Sequence, residues 1–407
     1  MSRICEHEPH PWCEGRTVRH VGERESDSRR DAIKVAVVIT GLEVGGAETT
    51  LAELLAHKAD DVDVHVFSLI DGGRIADRIT AMGVPVTGMH MIAHKPSLRG
   101  FIRLWRHLVR FRPRIVHTWL YHADLVGGVA ARLALVPKVV WHLHNADLSP
   151  ERVGRMTRLV VWVCARLSGL VPNVILSCSD DGLRVHERLG YSKRKLVLLQ
   201  NGVDTDRFAP DAPARESVRE EFGIPRDAPL VGLIARIDPQ KDHRGFFAAV
   251  NAFFAAGGDA HFLLAGRDVT LGYPPLAQWR EETGRPERII VAGPRQDVPR
   301  LMAALDVATS SSLGEAFPLV VVEAMACGTP VVATDVGDCR LIIDGTGIVV
   351  PPADPEALAY GWTELLELPA RERQALGRRA RERVVANYTI ERFADAVWRL
   401  YREMARR

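Results

Sequence analysis

The sequence has no uncharged apolar run of the roughly 20 residues that a membrane-spanning helix needs. The nearest approach, 159–178, is interrupted by Arg166 and Pro172. Cysteine is scarce. Six cysteines at irregular spacing in 407 residues make no disulfide framework and fit a reducing cytoplasm. A strong charge imbalance is also missing: 53 basic and 51 acidic residues leave a net charge of +2, so nothing calls for a nucleic-acid partner. Residues 1–30 are charged and have no apolar core of a secretory leader. What is present is an ordinary globular balance, 47% hydrophobic and 26% charged, in a length that suits two or three domains. The expected location is cytoplasmic, or peripheral on the inner face of the cytoplasmic membrane.

Residues 1–30 read as a mobile tail. It carries Cys5, His7, His10 and Cys13, the residue types of a metal site, although an accidental cluster is the favoured reading. From residue 32 onwards apolar strands alternate with helical patterns. Ile33 to Ile39 is a continuous apolar run, as expected of a strand buried on both faces of a parallel sheet. Further strands are predicted at 62–69, 114–118, 138–142 and 174–177, with helices at 47–57, 99–111, 123–135 and 181–189. A second cycle opens at Leu230 and predicts strands at 260–265, 288–291, 307–309, 331–334 and 347–349, with a helix at 243–256. This alternation implies an α/β protein of two doubly wound, Rossmann-like domains. Pro210, Pro213, Pro225 and Pro229 mark 208–229 as the linker. The expected division is 31–207 for the first domain, joined by a terminal helix 388–407, and 208–387 for the second. That last helix carries Ile390, Phe393, Val397, Leu400, Tyr401 and Met404 on one stripe and needs an apolar surface to cover.

In open parallel sheets ligands bind beyond the carboxyl ends of the strands. The segment from Gly314 to Pro330 holds Glu315 in a loop and Glu323 inside a helix that Pro318 opens and Gly328 ends. Eight residues at about 1.5 Å each separate the two carboxylates by at most about 12 Å, less if the loop folds back, a span suited to two hydroxyl-rich groups joined by a diphosphate. The helix start between them offers free N–H groups to phosphate. Arg236 ends a buried strand and Lys241 follows a proline turn, so two cations can meet a leaving diphosphate without a metal. Gly45 and Gly46 open a helix and permit close approach of an anion, although no dinucleotide fingerprint is present. Among the histidines, His144 lies where a strand end faces the cleft, and His122 lies on the acceptor side. His117 and His142 read as packed side chains with one satisfied nitrogen each.

These residues together resemble the retaining glycosyltransferases of family four, which have the GT-B fold. The resemblance covers about residues 33–405. It rests on the E-x7-E spacing of Glu315 and Glu323, on Arg236 and Lys241 after a strand, and on Asn201-Gly202-Val203-Asp204. Leu264-Ala265-Gly266 and the segment from Gly347 to Asp354 also match. The segment from Val116 to Asp124 resembles a subgroup acting on capsule, exopolysaccharide or O-antigen. The resemblance implies transfer of a hexose from a nucleoside diphosphate sugar to a lipid-linked or saccharide acceptor, with retention and without a metal cofactor. It implies that Arg236 and Lys241 bind the diphosphate and that Glu315 and the Phe317-Pro318-Leu319 backbone hold the donor sugar. Glu323 would bind the ribose, and Gly266, Gly293 and Arg295 would lie near the base. Gly45 and Gly46 would close over the phosphates, and His144 would be the active-site histidine of the first domain.

Two features depart from the family pattern. Gly337-Asp338-Cys339-Arg340-Leu341 stands where Gly-Gly-x-x-Glu is common, and Asp61-x-Asp63 and Asp204-x-Asp206 look like metal motifs in the wrong context. A non-hydrolysing sugar-nucleotide epimerase and a non-catalytic nucleotide-sugar-binding subunit are the alternative readings. The helix at 99–111 sets Phe101, Leu104, Trp105, Leu108 and Phe111 on one side, expected to pack on the sheet. Arg99, Arg103, Arg106 and Arg110 remain free to meet an anionic membrane.

Overall fold

A computed structural model describes residues 32–92, 97–150 and 152–406. Cys5, His7, His10 and Cys13 lie outside the described residues. The chain forms two parallel sheets. The first contains β1 (Ile33–Ile39), β2 (Val62–Ser68), β3 (Val86–Gly88), β4 (Ile115–Trp119), β5 (Lys138–Leu143), β6 (Val174–Ser177) and β7 (Leu196–Leu198), in the order β3-β2-β1-β4-β5-β6-β7. The second contains β8 (Leu230–Ile234), β9 (His261–Ala265), β10 (Ile289–Gly293), β11 (Val307–Ser310), β12 (Val331–Thr334) and β13 (Ile348–Val350), in the order β10-β9-β8-β11-β12-β13. Strand order reverses between β1 and β4 in one sheet and between β8 and β11 in the other, the switch points where α/β sheets bind ligands. The molecule is therefore a pair of Rossmann-like α/β domains, as expected.

Helices cover both faces of each sheet, which explains why the central strands are apolar throughout: Val35 to Ile39 and Leu230 to Leu233 are buried. The few aromatic residues of the second domain are concentrated. Phe246, Phe253, Phe262 and Trp362 pack ring to ring at 5.2–6.1 Å between the sheet and its helices. The Trp362 indole donates to Thr309 Oγ1 at 3.0 Å, so the large ring is buried without an orphaned N–H. The two edge strands β3 and β7 are only three residues long, too short to show alternation in the sequence.

The 208–229 segment is not an open linker. Residues Ala212–Glu221 form a helix in which Pro213 sits at the first turn and Asp211 accepts the Ala214 N–H at 2.9 Å. Proline breaks helix interiors but favours helix starts, so the same residue type fits either reading. Val218 is buried, and Arg219 donates to Asp306 at 2.7 Å, tying this helix to the second sheet.

The terminal helix Ile390–Arg406 crosses back and covers the first sheet with Ile390, Phe393, Val397, Tyr401 and Met404. Tyr401 Oη lies 2.6 Å from His117 Nδ1, and Trp398 Nε1 donates to the His57 carbonyl at 2.8 Å. The chain thus passes between the domains twice, and the two passes touch. Val203 N donates to Tyr388 O and Ile390 N to Val203 O, each at 2.9 Å. A Cβ on Gly202 would fall 2.2 Å from Thr389 O, so the close approach requires glycine there.

Candidate active site in the interdomain cleft

Both loops that carry the cations and the first carboxylate leave adjacent strands. After β8 the chain runs through Arg236 into a 3-10 turn, Pro239–Lys241, started by Asp238, which accepts the Gln240 N–H at 2.9 Å. After β11 comes the Ser311–Glu315 loop. The loops are joined by Leu313 N donating to Gln240 O at 2.7 Å and Ser311 Oγ donating to Lys241 O at 2.8 Å. At their meeting point the Lys241 ammonium donates to Glu315 Oε1, which also accepts from Ser312 Oγ at 2.7 Å. The pair is largely buried, with side-chain exposures of 19% and 13%. Arg236 makes a two-pronged contact with Asp238 Oδ2 at 2.8 and 3.1 Å. Each cation is thus held in place by a carboxylate before any ligand arrives.

The helix expected after Glu315 spans Leu319–Ala326, with Pro318 at its N-cap rather than in its first turn. Phe317 is buried, its ring edge-on to Tyr388 at 5.8 Å. Glu323 retains some exposure, yet loss of water pushes its carboxyl up to about 7. Neighbouring Glu53 adds to that rise, and Arg207 and Lys241 oppose it. Gly266 takes a φ of 153° because a Cβ there would meet the Ala235 carbonyl at 2.2 Å, and its N–H donates to Gly293 O at 2.9 Å. Gly266 therefore lies beside Arg236, and Gly293 ends the next strand out. Arg295 is engaged elsewhere: its guanidinium holds Asp297 at 2.8 Å and Glu221 at 2.6 Å, not any residue around Glu315.

The first domain contributes the opposite wall. Gly46 faces the start of the Leu319 helix, a Cβ there being 3.7 Å from Leu319 Cδ1. His144 follows β5, stacks on Trp119 at 4.6 Å, and is held by burial down to about 3, so it is a neutral imidazole. His122 is the second residue of the helix Tyr121–Leu133. His117 packs as expected, with one nitrogen against Tyr401. His142 does not: both its nitrogens lack a partner among the described residues, since it is sandwiched between the His117 and His144 rings.

Several cleft residues escaped the sequence reading. Glu48, in the first turn after Gly45-Gly46, is pushed up by burial, while its own backbone N–H and the positive charge of Arg236 and Arg267 in the other domain oppose the rise. Glu53 accepts from Arg78 at 2.9 Å and from Arg207, beyond β7, at 3.0 Å. Asp147 and Arg152, paired at 2.8 Å after β5, press against Gly314 beside Glu315. None lies in a pattern of its own; only the facing of two domains groups them.

Residues 44–207 match the family described as Glycosyltransferase Family 4, and residues 228–368 match Glycosyl transferases group 1. A D-inositol 3-phosphate glycosyltransferase of Kineococcus radiotolerans is 32% identical over 70% of this chain and 72% of that protein. The chain belongs to the family-four glycosyltransferases. An Escherichia coli UDP-Gal:alpha-D-GlcNAc-diphosphoundecaprenol alpha-1,3-galactosyltransferase is 22% identical to this family-four chain, over 93% of it and 98% of the relative. The crystal structure of Anabaena HepE with UDP-glucose shares the GT-B fold, with a TM-score of 0.80 and 20% identity over 91% of this chain and 99% of that one.

Proposed function

We propose that this glycosyltransferase moves a hexose from a nucleoside diphosphate sugar to a lipid-linked or saccharide acceptor, with retention of configuration and without a metal ion, in cell-surface polysaccharide or glycolipid synthesis. The observation that carries the reading is the Lys241–Glu315 pair beside Arg236, at the switch point of the second sheet and opposite Gly46. Two fixed cations and the start of the Leu319 helix would meet the negative charge that develops on the departing diphosphate. Being held by Asp238 and Glu315, they need little rearrangement as that charge appears. Glu315 would accept from donor-sugar hydroxyls, Glu323 from the ribose, and neutral His144 would hydrogen-bond the sugar from the first domain. The names of the relatives support a nucleotide-sugar donor, and one of them names a diphosphoundecaprenol-linked acceptor.

The first aspartate of each apparent metal motif has another task. Asp61 binds Arg402 at 2.7 and 2.8 Å, and Asp204 caps its own turn through the Asp206 and Arg207 N–H groups. A membrane-linked acceptor would suit the outer face of the first domain. Leu104 and Leu108 of the helix Leu98–Phe111 pack inward, while Arg99, Arg103, Arg106 and Arg110 are exposed, Arg103 also donating to Met89 O at 3.4 Å. Trp105 departs from the expected stripe and is exposed, because it sits at the stripe's edge. The helix Arg155–Leu167 adds exposed Met156, Leu159 and Trp162, with Arg166 over the Trp162 ring at 5.0 Å. Neither helix contains an acidic residue.

Thermal-shift screening with nucleotide sugars, followed by NMR of the anomeric centre of the product, tests the reading. A donor that stabilises the protein and yields a product of unchanged anomeric configuration is the expected result. Conversion of the nucleotide sugar without any acceptor would point to an epimerase instead.

A further inference from the structure

Asp338 stands at the N-cap of its own short helix, Cys339–Ile343, yet its side chain does not cap that helix. Its carboxylate crosses to the first domain. Oδ2 accepts the Asp180 N–H at 2.9 Å and Oδ1 accepts the Asp181 N–H at 3.1 Å, and Gln200 Nε2 also donates to Oδ2 at 3.1 Å. The first turn of a helix leaves N–H groups with no partner inside the helix. In Asp180–Arg188, Ser179 satisfies Gly182 N at 3.0 Å, and Asp338 satisfies the two N–H groups that Ser179 does not reach. The carboxylate is 2% exposed. A buried charge is stable only while its donors stay in place, and all three donors belong to the other domain.

The same residue is bonded to the donor loop. Asp338 N donates to Ala316 O at 3.0 Å, and Ala316 follows Glu315, which holds Lys241. Hydrogen bonds therefore run from the first-domain helix, through Asp338, to the backbone of the residue that follows Glu315. This is also the place where the sequence departs from the Gly-Gly-x-x-Glu pattern, with an acid where the second glycine would stand.

We propose that Asp338 is a positioning residue: it holds the two domains closed by capping the Asp180–Arg188 helix, and it sets the Glu315 loop in the closed arrangement. Its kinetic consequence rests on the donor-site reading above; its structural consequence does not. If the cap is lost, the closed state is less populated, and the apparent affinity for donor falls in proportion to that population. Water also gains access to the bound donor.

Small-angle scattering of the full chain, with and without UDP, measures closure independently of turnover, and donor KM, kcat and the share of donor lost to hydrolysis measure its effect. Asp338→Ala is expected to enlarge the radius of gyration, raise donor KM by about tenfold with a smaller change in kcat, and increase hydrolysis relative to transfer. Asp338→Asn, which keeps one accepting oxygen, should fall between the two. Ser179→Ala removes a cap from the same helix without touching the other domain. It should lower the melting temperature and leave the scattering and the hydrolysis share unchanged. Parental scattering and partition in Asp338→Ala, or the same opening in Ser179→Ala, would overturn the proposal. If the parent chain neither binds UDP-glucose nor transfers sugar, the glycosyl-transfer reading falls, while the scattering comparison still decides the cap.

Discussion

Lys241 and Glu315, 74 residues apart in the chain, are bonded directly at the mouth of the second sheet, ammonium to carboxylate. The bond joins the two loops that leave the switch-point strands, so the cation reaches the cleft already oriented. Preorganised charge of this kind acts on the transition state with little reorganisation, and removing one such group typically costs about 10²- to 10³-fold in turnover. Arg236→Ala and Lys241→Ala are each expected to lower transfer by orders of magnitude while circular dichroism remains native. Near-normal rates in both variants would remove the diphosphate role. Lys241→Ala also strands a buried carboxylate and should melt earlier than Arg236→Ala, whose partner Asp238 is less buried. Adding Glu315→Gln to Lys241→Ala should restore part of the lost melting temperature.

Glu323 gives a pH dependence with a definite sign. Its carboxyl is raised to about 7, chiefly by loss of water, so in the free protein it is neutral below that pH and ionised above it. If it accepts from the ribose hydroxyls as a carboxylate, UDP-glucose binding, measured by calorimetry, should strengthen as pH rises through 7. On the acid side the dissociation constant should change by up to about tenfold per pH unit. Glu323→Gln should flatten that profile. Stability moves the other way. The unfolded chain ionises this group near its ordinary value of 4.5, so its contribution to stability falls as pH rises from there to about 7. Glu323→Gln should therefore melt higher than the parent at pH 8 and no higher at pH 4.

The exposed cationic and apolar helices predict binding to vesicles of phosphatidylglycerol at low salt, weakened by added salt because exposed charges are screened. Arg103→Glu with Arg106→Glu should reverse the attraction, and Trp162→Ser with Leu159→Ser should reduce what persists at high salt. Cosedimentation reads both. No pelleting of the parent chain with anionic vesicles at low salt would dismiss the membrane surface.

Metal independence has a simple check. Transfer is expected to persist in EDTA at the untreated rate, with Asp61 and Asp204 committed to bonds within the chain. A loss restored by magnesium or manganese would contradict it.

Much of the placement of the second domain's candidate site was legible because it is local. Arg236 and Lys241 share one strand-to-helix turn, Glu315 and Glu323 share one loop and helix, and their spacing alone places them on one side of a strand end. The helix Ala212–Glu221 was hidden because proline signals a helix start as readily as a break. His142 defeated the expectation of a satisfied nitrogen because its neighbours His117 and His144 come from β4 and the loop after β5, and no sequence interval shows them as a stack. Arg295 is assigned by resemblance, but it pairs locally with Asp297 and, across to the helix Ala212–Glu221 that reads as a linker in the sequence, with Glu221.

The sequence by itself determined the two α/β sheets, the parallel strand character, and the loops that carry charge at strand ends. Hydrophobic period, glycine and proline are short-range signals, and they need only a few neighbouring residues to act. Only the tertiary structure decided what spans the cleft: Gly46 against Leu319, Asp147 and Arg152 against Gly314, and Asp338 capping a helix of the other domain. Those contacts join residues as many as 273 positions apart. Their energy depends on two separately folded sheets coming face to face, which no local pattern in the chain encodes.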